Sequence, residues 1–550
     1  MRTRPGSQDN GSIGYDRTGR VLFGIVLVIG VALRAYQWLE KPPLWLDELA
    51  LANGLLSGTF FGLFDGASDF AQSAPPGFLA LEWLVAHGIR GSDFALRAPS
   101  FLCACAALPA TWLAARELVG ERHAWVAPAL ITFSGELIYM GGQVKPYAAD
   151  AFFAPLIIFC ALRHDRERNA ESWRALALAG VIGPLFSFGA VFVTAGVIAH
   201  VFLRRDRSHT RAMFTVFAIW ACIATLSVIV SERLLSPEAD AMMAVYWTPW
   251  FPPFPPTSIE EATWLPRHIV VMLYDVVGLR EVWLFGAVLL ASAVLTWWQR
   301  PAVGVLLLTP IAALLVATML GHFPFSERLL HWMVPIFALL YTGAVSRVMD
   351  WLRTRSRWLE LAPAAVMLGT PVLSLAQAPP PFIRDNIAPV IERLSTEARA
   401  GDVLYVYWGA WHAWQRYGRA IEPTLGRVVT GGCALDYPRA FLRDVDQLRG
   451  KPRVWLLFGR NQVAEEQALR LAYLDTIGIR NEELLVASPR VNHTANMDLY
   501  RYDLSDSSRL ALANSESFPI PASLVKREAG CRRFDAMMRR ADGTRVVPLL

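Results

Sequence analysis

The sequence predicts a mainly α, polytopic membrane protein with a small α/β domain towards its C-terminal end, and three observations predict it. Hydrophobic residues make up 54% of the 550 and charged residues only 18%, with a mean hydropathy of +0.34, which leaves too little polar surface to clothe a soluble chain of this size. Apolar runs long enough to cross about 30 Å of hydrocarbon recur from Val21 to Ala376. Beyond Pro389 the pattern changes to short apolar runs alternating with helical ones.

The first run, Val21 to Leu39, continues into Trp38 with no small-residue cleavage site, so it reads as a retained span. Further runs lie near Phe94 to Ala115, Ala124 to Met140, Tyr147 to Leu162, Ala175 to Leu203, Ala212 to Val230, Val282 to Trp298, Val303 to Leu320, Leu329 to Val345 and Trp358 to Ala376. Ala175 to Leu203 is too long for one ordinary span and contains Gly183-Pro184 and Ser187, so it predicts a tight hairpin of two short segments. The total is about eleven spans.

Arginine placement sets the orientation, because cytoplasmic loops retain Lys and Arg. With the tail 1–20 inside, the groups Arg116 and Arg122, Arg163 to Arg174, Arg204 to Arg211 and Arg347 to Arg357 all fall on the same side, provided the hairpin crosses twice. The net charge of +5 is then largely a topology signal and calls for no nucleic acid. The reading is a multi-pass inner-membrane protein with a cytoplasmic N-terminus. A transmembrane domain covers 21–376, with external loops at 40–92, 231–280 and 321–328. An extracytoplasmic α/β domain covers 377–503, and 504–550 is a C-terminal extension.

In the α/β domain, Asp402 to Tyr407 and Arg453 to Phe458 read as buried strands, and Asp444 to Leu448 and Val463 to Ile477 as helical stretches. Thr430-Gly431-Gly432 is too short for a phosphate loop, and no catalytic residue is assigned to this domain. Cys103, Cys105, Cys160 and Cys222 lie in spans. Cys433 and Cys531 lie outside, where an oxidising compartment would let them pair.

The chemistry is sought in the outer loops. Pro42-Pro43-Leu44-Trp45-Leu46-Asp47-Glu48 places two carboxylates just past the first span, and Asp65 and Asp69 follow in the same loop. Pro75-Pro76-Gly77 then opens an amphipathic run, Phe78 to Ala86, suited to an interface. The second loop carries Tyr246-Trp247-Thr248-Pro249-Trp250, a semi-rigid aromatic stretch fit for a lid, a sugar-stacking surface or an interfacial belt. Cations stand at outer span ends: Arg97, Lys145 in Gln143-Val144-Lys145-Pro146-Tyr147, and Arg328 beside Glu327. Carboxylates, cations and an amphipathic surface together suit transfer of a sugar from a lipid-phosphate carrier. One carboxylate deprotonates an acceptor hydroxyl, and Lys or Arg stabilises the leaving phosphate. Each residue has a plainer reading as well. Asp47 and Glu48 could favour the N-terminus of a following helix, Lys145, Arg97 and Arg328 could anchor at the interface, and Tyr147 could belong to an aromatic belt.

These residues resemble the GT-C fold membrane glycosyltransferases, the superfamily that includes protein O-mannosyltransferases and lipid A aminoarabinose transferases. The similarity rests on Trp45-Leu46-Asp47-Glu48, Pro75-Pro76, Leu96-Arg97-Ala98-Pro99-Ser100, Gln143 to Tyr147, and Arg328-Leu329-Leu330 with Pro335, and it covers roughly Leu22 to Met349. It implies an inverting transferase using a polyprenyl-phosphate-linked sugar, with Asp47 as base, Glu48 its neighbour, and Lys145, Arg328, Arg97 and Tyr147 towards the donor phosphate. The family often has Arg-Pro-Tyr where this chain has Lys145-Pro146-Tyr147, and Lys meets phosphate as a point charge without the bidentate fork. Some members use a divalent metal. Asp47, Asp65 and Asp69 could supply ligands, but no acidic pair is evident in the second loop, so a reaction without metal or other cofactor is expected. The acceptor could be a protein, a lipid or a glycan. A transporter or flippase for a lipid-linked precursor, and a non-catalytic scaffold with an external binding domain, are the rival readings. A carrier would place its ionisable groups near the bilayer midplane rather than at the outer span ends.

Overall fold

A computed structural model describes residues 16–64, 73–88, 91–204, 210–233, 243–244, 246–356, 358–431, 438–459, 464–486 and 497–525. Asp65, Asp69, Cys433 and Cys531 lie outside the described residues, as does the extension beyond Val525. The chain divides into two compact units. One is made of Met1–Leu39, Ser73–Arg233 and Met243–Pro380, the other of Glu40–Gln72, Leu234–Met242 and Pro381–Leu550. The stretch after the first apolar helix is therefore grouped with the C-terminal residues, not with the helices that flank it in sequence.

In chain order the helices are α1 (Arg17–Leu39), α2 (Leu46–Ser57), α3 (Pro76–Gly88), α4 (Asp93–Leu96), α5 (Ala98–Val119), α6 (Val126–Thr132), α7 (Gly135–Gly141), α8 (Tyr147–Glu167), α9 (Ala170–Phe186), α10 (Gly189–Arg204) and α11 (Thr210–Arg233). After them come α12 (Val282–Gln299), α13 (Pro301–Met319), α14 (Met333–Arg353) and α15 (Ala362–Gln377). Among the described residues eight helices are long and apolar enough to cross a membrane. Their outward faces carry large apolar side chains, such as Val28 at 70% and Leu290 at 66% exposure, which only an apolar surrounding accommodates. This is a multi-pass membrane protein.

The expected eleven spans are not all present as single long helices. Ala124 to Met140 is broken into α6 and α7, of seven residues each. A break in an apolar setting strands carbonyl and amide groups that must be satisfied from within the protein. Arg34, buried on α1, meets this need by donating to Ile131 O at 2.9 Å, while its other nitrogen reaches Gly30 O at 3.1 Å. Ser134 caps α7 by accepting from Leu137 N at 3.2 Å and donates to Val276 O at 2.6 Å. The run from Ala175 to Leu203 is two helices, α9 and α10, parted at Ser187. Asp150 of α8 stitches that gap, its Oδ1 accepting from Ser187 Oγ at 2.5 Å and Gly189 N at 3.2 Å. Ser187 Oγ in turn accepts from Ala190 N at 3.0 Å.

The second unit holds a five-stranded sheet with β1 (Val403–Val406), β2 (Arg427–Thr430), β3 (Val454–Gly459), β4 (Ile479–Val486) and β5 (Met497–Asp503), in the order β2-β1-β3-β5-β4. β1 pairs in parallel with β2 and β3, and β5 pairs antiparallel with β3 and β4. The two strands expected from sequence are the central β1 and β3, whose residues are buried throughout. The other three escape a search for continuous apolar runs: β2 is short and partly exposed, β4 alternates exposed and half-buried positions, and β5 is interrupted by charges. Helices α16 (Ala388–Glu397), α17 (Trp408–Ala413), α18 (Pro438–Asp446) and α19 (Ala464–Ile477) complete the layer.

At the α9/α10 junction a Cβ on Gly189 would stand 2.3 Å from the Trp332 ring, so only glycine allows that approach. Gly189→Val should destabilise the helical unit by about 1–3 kcal/mol, measured as earlier thermal unfolding in detergent; unchanged melting would contradict this packing.

Candidate functional site

The two candidate acids belong to the second unit. Pro42 and Pro43 stiffen the approach to α2, which begins at Leu46 with Trp45 as its N-cap. Glu48 stands three residues on, and its Oε2 accepts the Trp45 N–H at 3.2 Å, so one of its oxygens is committed to the helix start. Asp47 is only 5% exposed and Glu48 1%.

Residues from the C-terminal part of the chain fix this turn. Leu44 N donates to the Tyr417 hydroxyl at 2.8 Å, and Leu46 N donates to Asp385 Oδ2 at 3.4 Å. The Arg384 guanidinium lies over the Trp45 ring at 4.2 Å. Asp385 has φ 49, a left-handed backbone that Asp tolerates better than most residues. The sequence points to no catalytic residue in the α/β domain. In the structure its N-terminal segments have a positioning role instead, holding the backbone on both sides of Trp45.

The candidate cations belong to the first unit. Arg97 is 2% exposed and precedes Ala98, the first residue of α5. On the next turn Ser100 Oγ donates to Lys145 O at 2.8 Å, which ties the turn between α7 and α8 to the start of α5. Lys145 is 3% exposed, and a buried ammonium or guanidinium is retained only where it is compensated; both residues are engaged in further interactions. Tyr147, two residues on, stacks against His331 with ring centroids 5.7 Å apart. His331 Nδ1 lies 2.7 Å from Arg328 O, so the tautomer protonated there donates to that carbonyl, and its Nε2 lies 3.8 Å from Glu136 Oε1. Arg328 donates to the Tyr246 hydroxyl at 3.0 Å and lies 4.8 Å from the Trp247 ring centroid. The structure thus brings Arg97 towards Lys145, and Tyr147 towards Arg328, each pair within one unit.

Several residues in this neighbourhood receive no role from the sequence alone. Glu136 sits inside an apolar run, where a lone acid is itself a signal. Gln143 is 2% exposed, and neither its Oε1 nor its Nε2 has a hydrogen-bond partner among the described residues, a cost that a polar ligand would relieve. Asp275, in the π-helical turn Met272–Val277, and Glu327 form an acidic pair drawn from two loops that no spacing rule connects. Burial pushes both carboxyls above their ordinary range, and the Asp275 charge pushes Glu327 further. Among the described residues no group of three or more His, Cys, Asp or Glu is placed to hold a metal ion.

Residues 73–232 match the family model described as dolichyl-phosphate-mannose-protein mannosyltransferase. That segment contains Arg97, Lys145 and Tyr147, and the GT-C resemblance read from the sequence agrees with it. The chain has no match among curated proteins. Among solved structures it is similar to the oligosaccharyltransferase of Archaeoglobus fulgidus in complex with Zn and sulfate, at 14% identity over 92% of this chain and 76% of that one, with a TM-score of 0.47. It is also similar to ArnT from Cupriavidus metallidurans bound to undecaprenyl phosphate, at 12% identity over 90% and 99%, with a TM-score of 0.47. Arabinofuranosyltransferase AftD from Mycobacteria is similar at 14% identity over 89% and 40%, with a TM-score of 0.43.

Tyr417→Phe removes the acceptor for Leu44 N and should cost about 1–3 kcal/mol locally. Hydrogen exchange across residues 41–48 should speed up by roughly tenfold or more while α19 stays protected; equal protection in the variant would show that this bond does not hold the turn. For Glu327 the raised folded-state value means that its stability contribution is present below the ordinary carboxylate range and lost as pH rises through the raised value. Glu327→Gln should therefore raise the melting temperature at pH 7 but not near pH 4, and a gain of equal size at both would sink this assignment.

Proposed function

We propose that the protein is an integral membrane glycosyltransferase that moves a sugar from a polyprenyl-phosphate carrier to an acceptor on the extracytoplasmic side, with inversion. The observation that carries this reading is the family match over residues 73–232, whose candidate motifs place two cations, Arg97 and Lys145, at 2% and 3% exposure at adjoining helix starts. Two buried cations beside an apolar bundle suit a lipid-linked phosphate, which needs charge at its headgroup and hydrocarbon around its chain.

In this scheme Asp47 accepts the proton of the acceptor hydroxyl as that oxygen attacks the anomeric carbon. The bond from the anomeric carbon to the phosphate oxygen breaks on the opposite face, and its electron pair leaves with the lipid phosphate. Lys145 and Arg97 compensate the growing phosphate charge, with Arg328 and Tyr147 beside them in the donor-binding role. Glu48 supports the reaction through the helix start that presents Asp47. No step calls on a metal, and the acceptor is a protein, a lipid or a glycan of the cell envelope. The bound undecaprenyl phosphate in the ArnT structure prompts the choice of polyprenyl-phosphate donors for the test.

Purified protein supplied with radiolabelled polyprenyl-phosphate sugars and an acceptor panel should show transfer. Asp47→Asn should lower kcat by about 10²-fold or more, and transfer undiminished in that variant would remove Asp47 from the base role. Lys145→Ala should lose most of the rate, whereas Lys145→Arg should keep much of it by restoring a charged donor. Loss of the same size in both would mean that the position demands shape and not charge.

A further inference from the structure

At the end of the helical unit where α5 and α12 finish, a cavity of about 190 Å³ opens between α5, α12, α13 and α14. Its wall combines Leu307, Leu339 and Leu340 with Thr296, Ser346, Arg300 and Arg347. This cavity takes no part in the transfer chemistry proposed above, whose donor-side cations stand at the opposite ends of α5 and α14.

Both guanidiniums lack a carboxylate partner among the described residues. Arg300 donates to Leu118 O at 2.7 Å, closing the last turn of α5, and the rest of its fork makes no ion pair with the described residues. Arg347 makes no hydrogen bond or ion pair with the described residues. Asp350 also lines the cavity and lies 3.6 Å from His123 Nε2. Several other arginines of this basic face are matched: Arg166 to Glu117, Arg163 to Glu167, Arg122 to Glu360, and Arg204 to Asp165. Arginines that served topology alone would need no cavity. Two unmatched guanidiniums lining one pocket with an aliphatic wall fit a phosphate diester that carries acyl chains.

We propose that this cavity binds the headgroup of an anionic phospholipid, with Arg300 and Arg347 on the phosphate and the leucines against the first acyl carbons. The full chain in detergent, incubated with phosphatidylglycerol, phosphatidylcholine or inorganic phosphate and examined by native mass spectrometry, tests this. Phosphatidylglycerol adducts should survive at energies that strip phosphatidylcholine, and inorganic phosphate should not displace them. R347Q should weaken retention about fivefold. R300Q should weaken it similarly, while R353Q, at an exposed arginine outside the cavity, should leave it unchanged. R347Q does not touch the α5 cap, so its melting temperature should match the parent and separate lost binding from lost folding. Equal retention of the two lipids, displacement by inorganic phosphate, or the same loss in R353Q as in R347Q would each overturn the proposal.

Discussion

The arrangement of the second unit depends on how a short turn, Leu44 to Leu46, is held. Its amides are directed at the Tyr417 hydroxyl and the Asp385 carboxylate, and the Arg384 guanidinium covers the Trp45 ring. Ladder hydrogen bonds are absent in such a turn, so buried amide donors must find side-chain acceptors or forfeit their solvation. Because the acceptors come from 339 and 373 residues away in sequence, the α/β domain determines the setting of Asp47. Its sheet supplies the rigid base. The aromatic core around Tyr405, Tyr407, Phe441 and Phe458 packs about the end of β1 and the start of α17.

A similar need for internal partners runs through the helical unit. Helices that break in an apolar setting expose backbone groups, and each break here is met by a polar side chain from a neighbour: Arg34 at the α6 end, Ser134 at the α7 start and Asp150 across the α9/α10 gap. These polar residues would read as misfits in an apolar run, yet they permit the chain to turn inside the bundle. Lys145 beside Ser100 and Tyr147 beside His331 belong to the next connection, between α7 and α8.

Charge is distributed unequally between the ends of the helical unit. At one end stand the buried cations Arg97 and Lys145 and the raised carboxyls of Asp275 and Glu327. At the other, most arginines are exposed and matched to Glu or Asp, where each pair contributes little. Of those without an ion pair among the described residues, Arg300 and Arg347 line one cavity, and this is why charge bias alone does not account for them.

The sequence by itself determined the class of the protein, the strands β1 and β3 and the division of Ala175 to Leu203 into two segments at Ser187, and it singled out Asp47, Lys145 and Arg328 as candidates. All of these follow from local features: run length, periodicity, the arginine bias and short motifs, which neighbouring residues specify. Only the tertiary structure decided that the Asp47 turn is built into the C-terminal unit, that Ala124 to Met140 is two short helices, that Glu136 approaches His331, and that Asp275 acts on Glu327. A break is legible only through the side chain that satisfies it, and Arg34 is 97 residues from Ile131. An acidic pair drawn from two loops leaves no spacing to read, because its proximity is a property of packing and not of the chain order.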